Sequence, residues 1–322
     1  MIKCFYNSAT ICDTETLQLF CVNRVLHLLL LLTMPPLLLG VINKTKAVAA
    51  GRKGPPLLQP YYDITKLLRK GVVISSTTSM IFWLAPVVVV ATSLLAGLLT
   101  PLGPFQAPIA FAGDAILFVY LFALSRFFTT AAALDTGSSF EGMGTAREVT
   151  FASLAEPALF FVLLVMARIS GALSLSDMLR SPLSAPLSMT TAPLILVSVG
   201  MFIILLAENC RIPVDDPNTH LELTMIHEVM ILDHGGPLLG LMLYGASVKL
   251  FVLGAFFMHL IFPLQCNQPI LDWLLFVGRM LSLAVIIGVV ESVMARLQMR
   301  RVPFLLIAAL FCCGFGFILL VK

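Results

Sequence analysis

The sequence predicts an all-α, polytopic membrane protein of eight transmembrane helices with an amphipathic surface helix. Three observations predict it. The 322 residues are 59% hydrophobic and 11% charged, against roughly one quarter charged in an ordinary soluble domain. Mean hydropathy is +1.00, and a water-soluble fold of this size cannot cover itself with so few charges. The apolar residues also gather into stretches of about 20, the length that crosses a hydrocarbon core.

Taken in order, residues 1–24 read as an N-terminal extension and residues 25–322 as a single eight-helix domain. The first span is expected over Val25 to Ile42. It is preceded by polar residues and followed by no small-residue cleavage site, so it reads as a retained helix and not a signal peptide. Its Pro35-Pro36 pair is expected to kink it without ending it, because neighbouring helices can satisfy the freed carbonyls. The remaining spans are expected over Met80 to Leu102, Ala115 to Leu134, Leu154 to Leu175, Ala192 to Ala207, Leu238 to Ile261, Trp273 to Ala295 and Val302 to Val321. Eight spans put both termini on one side.

Lys and Arg set the orientation. The loops after spans one, three, five and seven hold Lys44, Lys46, Arg52, Lys53, Lys66, Arg69, Lys70, Arg147, Arg211, Arg296, Arg300 and Arg301, against Lys3, Arg24, Arg180 and Lys322 opposite. Twelve against four places the first set in the cytoplasm and both termini outside. The net charge of +3 is spread along the chain, which gives nucleic-acid binding no support. The seven cysteines show no CxxC or other paired ligand spacing, so no cofactor is expected in this chain. Cys4 and Cys12 can pair if the tail lies outside.

The chemistry gathers on the inner loops. In the first, Tyr61, Ile64, Leu67 and Leu68 share a helical face, with Asp63, Lys66 and Lys70 turned away, as in a helix lying on a membrane. An anchor for anionic lipid explains the charges. The Gly54-Pro55-Pro56 entry and a Gln59-Pro60 stop point instead to a shaped docking surface, with Gln59, Asp63, Lys66 and Arg69 as its polar residues. In the second loop, Gly142 and Gly144 lack the third glycine and preceding strand of a dinucleotide fingerprint.

The third loop is the most polar segment, with Glu208, Arg211, Asp215, Asp216, His220, Glu222, His227, Glu228, Asp233 and His234. Ile231 stands where a zinc protease needs its second histidine after His227-Glu228, so that chemistry is rejected. His220, Thr224, His227 and Glu228 fall on one face of a short helix, which is either a solvated face or a row of titratable groups leading to a buried site.

Ionisable residues inside the spans mark an ion path or a buried pair. Glu156 lies about two turns into span four, Lys249 near the middle of span six, and Arg126 within span three. Arg168 and Glu291 lie nearer helix ends, where a long side chain can snorkel. Glu208 and Glu222 are the expected entry groups, and Arg147 a cation that keeps a carboxylate ionised. Glu156 and Lys249 are either part of a coupling path or a lock between helices.

These strings resemble a known family, the membrane subunit shared by formate hydrogenlyase, hydrogenase-4 and energy-converting hydrogenases. The H subunit of respiratory complex I is a more distant likeness. The resemblance is carried by Gly54-Pro55, Gln59 and Asp63-Ile64-Thr65-Lys66-Leu67; by Leu134-Asp135-Thr136-Gly137-Ser138; by Arg147-Glu148 and Glu156-Pro157; by Glu208, Pro213, Asp215 and Glu222; and by Glu291-Ser292 with Ala295-Arg296. The Leu-Asp-Thr-Gly-Ser and Glu-Ser-x-x-Ala-Arg strings favour the hydrogenase branch, and Gly71 stands where complex I usually has Glu.

The resemblance implies a noncatalytic anchor and coupling subunit in the cell inner membrane. Its implied partners are a [NiFe]-hydrogenase large subunit, an iron-sulfur small subunit and antiporter-like membrane subunits, with the [NiFe] centre and iron-sulfur clusters in those other chains. Coupling then falls to Glu156, Glu208, Glu222, Lys249, Arg147, Asp215, Glu228 and Glu291. The alternatives are the quinone-site subunit of a complex I-type NADH dehydrogenase and a stand-alone ion transporter. The second lacks the two repeated halves usual in large secondary transporters.

Overall fold

The computed structural model describes residues 14–75, 77–103, 106–180, 187–215, 225–262 and 268–321. Its helices are α1 (Thr14–Ala49), α2 (Gln59–Leu68), α3 (Met80–Leu99), α4 (Asp114–Asp135), α5 (Ser139–Ser170), α6 (Leu175–Arg180), α7 (Leu187–Glu208), α8 (His227–Met230), α9 (Gly236–Ile261), α10 (Pro269–Val293) and α11 (Val302–Val321). Among the described residues eight of them are long and apolar enough to cross a membrane. The fold is therefore the expected all-α polytopic bundle.

Local chemistry sets the helix ends. Ser79 caps α3 by accepting the Ile81 N–H at 3.3 Å, and its own N–H donates to Asp135 of α4 at 2.5 Å. Thr100-Pro101 ends α3 at Leu99, short of the expected Leu102, since a residue before proline avoids the helical region. Gly171 closes α5 at φ 70°, a left-handed cap that suits glycine.

Three expectations change. α1 begins at Thr14, so residues 14–24 continue the first span instead of standing apart from it. α5 begins at Ser139, not near Leu154, and most of the second inner loop is its first turns. Hydropathy missed that extension because it is polar, yet it has no proline before Pro157 and buries Glu141, Gly144 and Thr145. Gln59-Pro60 does not stop a helix: proline opens α2, in the first turn where its missing N–H costs nothing.

α9 is the central helix. α3 packs against α4 and α9, α1 against α10 and α9, and α11 against α7 and α5. Around the C-terminal half of α9, Phe118, Met201, Ile204, Phe251 and Phe256 form a fully buried apolar layer. α2 lies across the other end with Tyr61, Ile64 and Leu67 half-buried and Tyr62, Asp63, Thr65, Lys66 and Arg69 exposed, which is the amphipathic arrangement expected. Leu68 is exposed instead of sharing the buried face. α1 meets the approach to α2 closely, since a Cβ on Gly40 would stand 2.0 Å from the Leu57 carbonyl oxygen.

Candidate functional site

One guanidinium gathers three carboxylates from two other helices. Arg126 of α4 donates through Nε to Glu148 at 3.2 Å and through Nη1 to Glu156, both on α5. Its Nη2 reaches both oxygens of Glu208, at the end of α7, at 2.6 Å each. Lys249 Nζ, from α9, completes the group at 2.7 Å from Glu208 Oε2. The side chains of Glu208 and Arg126 are 6% and 9% exposed, while Glu156 is 36% exposed. Three acids thus face two cations in one cluster.

Beside it lies a chamber of about 370 Å³. α2 roofs the chamber with Pro60, Asp63 and Ile64, and Arg126, Glu148, Glu208 and Lys249 form its deep wall. Asp215, His227 and Glu228 line its side. Ser93, Asn209 and His227, all lining residues, each hold a buried polar atom (Oγ, Oδ1 and Nε2) without a hydrogen-bond partner among the described residues. Unpaired polar atoms around a space of this size are the setting in which buried water is held. Burial, helped by the charge on Lys249, lowers the His227 pKa to about 4, so its imidazole is neutral at pH 7. Burial pushes the Cys210 thiol well above its ordinary value, with Glu148 adding to the shift, which removes it as a nucleophile.

A second cluster is a clasp. The Glu291 side chain, fully buried, sits 2.9 Å from Lys46 Nζ and 3.4 Å from Arg211 Nη1. Asp215 pairs with Arg296 at 2.9 Å and accepts the Ile226 N–H at 2.8 Å. Together these contacts tie α1, α10 and the segment after α7. Glu291 therefore does not snorkel: two cations allow it to stay buried.

The site residues expected from the sequence fall in different places. Glu156, Glu208 and Lys249 come together in the Arg126 group, and Asp215 and Glu228 face the same chamber. Glu222, with His220 and Thr224, lies outside the described residues, as do Cys4 and Cys12. Arg147 donates to the Met225 carbonyl at 2.9 Å, and the cation on the three glutamates is Arg126. Gln59 Nε2 donates to Asp63 at 2.8 Å along α2, while Lys66 and Arg69 are exposed.

Arg126, marked in the sequence as an intramembrane charge, was not counted among the coupling residues, and Glu148 entered only through the resemblance. The signal was present, since a guanidinium within a span demands carboxylates at its own depth. Glu141 was also missed: it is fully buried on α5, accepting the Thr136 hydroxyl and, at 3.0 Å, the Asp233 N–H. Among the described residues no three His, Cys, Asp or Glu side chains are grouped to hold a metal, and Cys21, Cys210, Cys312 and Cys313 are free.

A family profile described as NADH dehydrogenase matches residues 22–322. Formate hydrogenlyase subunit 4 of Escherichia coli (strain K12) is 30% identical over 299 residues, 91% of this chain and 94% of that one. Hydrogenase-4 component C of the same strain is 32% identical over 312 residues, 95% of each chain. Among solved structures, a chain of the membrane-bound sulfane sulfur reductase, an archaeal respiratory membrane complex, superposes with a TM-score of 0.78 at 21% identity. It covers 93% of this chain and 99% of that chain.

Proposed function

The chain belongs to the NADH dehydrogenase family, and from that premise we propose that it is the membrane-anchor and coupling subunit of a group 4 membrane-bound [NiFe]-hydrogenase or formate hydrogenlyase-type complex. The Arg126 group carries this reading. A triply bridged guanidinium with a lysine, buried among apolar helices beside a chamber that opens under α2, is costly to build. It has no structural need that apolar packing would not meet.

On this reading the chain is noncatalytic. It docks a [NiFe] large subunit and an iron-sulfur small subunit on α2 and the neighbouring inner segments, and antiporter-like membrane subunits within the bilayer. Redox centres sit in the soluble partners. The complex lies in the cell inner membrane with this chain's termini outside, a placement supported by the Lys and Arg distribution.

Mechanistically, Asp63 at the roof and the polar atoms of Ser93, Asn209 and His227 offer hydrogen-bonding stations into the chamber. Glu208 is the point of transfer, because it alone contacts both Arg126 and Lys249. A proton arriving on Glu208 weakens both ion pairs at once, freeing their charges to act on Glu148 and Glu156.

Glu208→Gln is the test. It keeps the shape and most hydrogen bonds, so the complex is expected to assemble and keep its dye-linked hydrogen activity. Sealed vesicles are expected to lose the ion gradient. A full gradient overturns the role of Glu208. The chamber, lined by both apolar and polar groups, supports a second reading as the quinone-site subunit of a complex I-type dehydrogenase. A purified complex that reduces quinone and makes no hydrogen moves the chain to that reading.

A further inference from the structure

Two tyrosines from distant parts of the chain reach the Pro35-Pro36 turn of α1. Pro36 brings no N–H to the Leu32 carbonyl, and that carbonyl accepts the Tyr244 hydroxyl of α9 at 3.0 Å. One residue on, the Thr33 carbonyl accepts the Tyr61 hydroxyl of α2. Two adjacent carbonyls of one turn, the first released by proline, are thus met by hydroxyls from α9 and α2.

Neither tyrosine lines the chamber, yet both are flanked by residues that do. Pro60 and Asp63 lie beside Tyr61, and Leu243 and Gly245 beside Tyr244. From Tyr244 the contacts lead on to the coupling group. The Ser247 hydroxyl donates to the Tyr244 carbonyl at 2.6 Å, and Lys249, two residues further, holds Glu208. At its other end α2 is fitted to the start of α9: a Cβ on Gly236 would stand 2.6 Å from the Gly71 carbonyl oxygen, and one on Gly240 3.3 Å from the Leu67 Cβ.

We propose that Tyr61 and Tyr244 are positioning residues for ion coupling: sharing the opened Pro35-Pro36 turn, they hold the chamber roof α2 in register with the Lys249 helix and so set the Lys249–Glu208 contact. The proposal rests on the coupling function above. A single threonine or serine within α1 would be enough to satisfy a freed carbonyl. Two phenols from two other helices instead make one turn of α1 common to the docking helix and the helix that carries the lysine.

Tyr61→Phe and Tyr244→Phe, made in the whole complex in sealed vesicles, test it. Membrane attachment and dye-linked hydrogen activity are expected to stay within about twofold, while the gradient formed per turnover falls at least about fivefold. The double variant is expected to match the more severe single one, because both hydroxyls act through one turn. Pro36→Ala separates this role from mere packing. It restores an N–H to the Leu32 carbonyl, so a kink that only fills space predicts a firmer helix and an intact gradient, whereas positioning through the open turn predicts the uncoupled behaviour again.

An undiminished gradient in both Phe variants overturns the proposal and leaves the coupling function standing. Lost attachment or lost dye-linked activity in those variants assigns the tyrosines to assembly and also overturns it. A wild-type complex that forms no gradient removes the coupling function and this proposal with it.

Discussion

The two halves of α9 are built on opposite principles. From Gly236 to Lys249, glycines at 236, 240 and 245 admit neighbouring chain closely, and Ser247 and Lys249 face the chamber. From Leu250 to Leu260 every residue is buried, and Phe251, Val252, Leu253, Ala255 and Phe256 have no exposed surface. His259, the only ionisable group there, sits with Nδ1 2.8 Å from the Ala255 carbonyl. Lys249 and His259 are separated by about 15 Å of helix with no titratable side chain between them. Hydropathy reads both halves as one span. The difference teaches that charge is tolerated where it is paired, and that the C-terminal half of α9 is held by packing alone.

The largest effect is expected where that pairing is broken. Arg126→Met leaves Glu148, Glu156 and Glu208 with Lys249 as the remaining contact cation, and stranding even one buried charge costs about 3–5 kcal/mol. The subunit is expected to vanish from the membrane fraction. If it accumulates at the wild-type level and melts at the wild-type temperature, the polar half does not depend on its pairs.

Next comes the packed half. Phe256→Ala opens a cavity in the buried layer and is expected to cost about 3–5 kcal/mol of subunit stability, as large-to-small core changes do. Whatever complex assembles is expected to couple normally, because no charge has moved. A gradient lost in proportion to turnover rather than to assembled protein would carry the coupling function into the C-terminal half of α9.

How much of this was legible follows the same division. The eight spans and the surface helix were readable because apolar length and amphipathic spacing are local properties. The Glu156, Glu208 and Lys249 group was readable in part, since the cost of an intramembrane charge depends on the residue itself. Which cation answers those acids was not readable. Arg126 and Arg147 are the same residue type, and only the packing of α4 against α5 and α7 puts Arg126 on Glu148, Glu156 and Glu208. Glu291 lies near the end of α10, as the sequence places it, but its partners were not readable, because Lys46 and Arg211 arrive from distant segments. The polar start of α5 was hidden because helical continuity there rests on the lack of proline before Pro157, not on hydropathy.

A smaller effect is expected from pH, and it reports only on the chamber side. Burial lowers both His227 and His234 from 6.5 to about 4; His234 also stacks on Phe82 with ring centroids 4.0 Å apart. The fold favours their neutral forms, so the unfolded chain takes protons first as pH falls. Stability is therefore expected to be level above about pH 6.5 and to decline between there and pH 4. Thermal denaturation of the purified complex across that range checks the sign. His227→Gln with His234→Gln is expected to flatten the decline, and an unchanged slope in that variant assigns it to other groups.

The smallest effect on stability, and the sharpest contrast between the two faces of one element, is expected on α2. Its inward face is fixed by the Tyr61 hydroxyl on α1, whereas Lys66 and Arg69 are exposed and form no ion pair among the described residues. Exposed charges away from special contacts change stability by no more than about 0.5 kcal/mol, so Lys66→Glu with Arg69→Glu is expected to leave the melting temperature of the isolated subunit unchanged. Reversal of two charges on a docking face acts instead on a partner of complementary charge. The hydrogenase module is therefore expected to move into the soluble fraction with its dye-linked activity retained. Release without destabilisation separates the face that docks from the face that holds the chamber closed. A module that stays bound under both reversals takes the dock away from α2, and a subunit that melts early shows that these two charges belong to the fold.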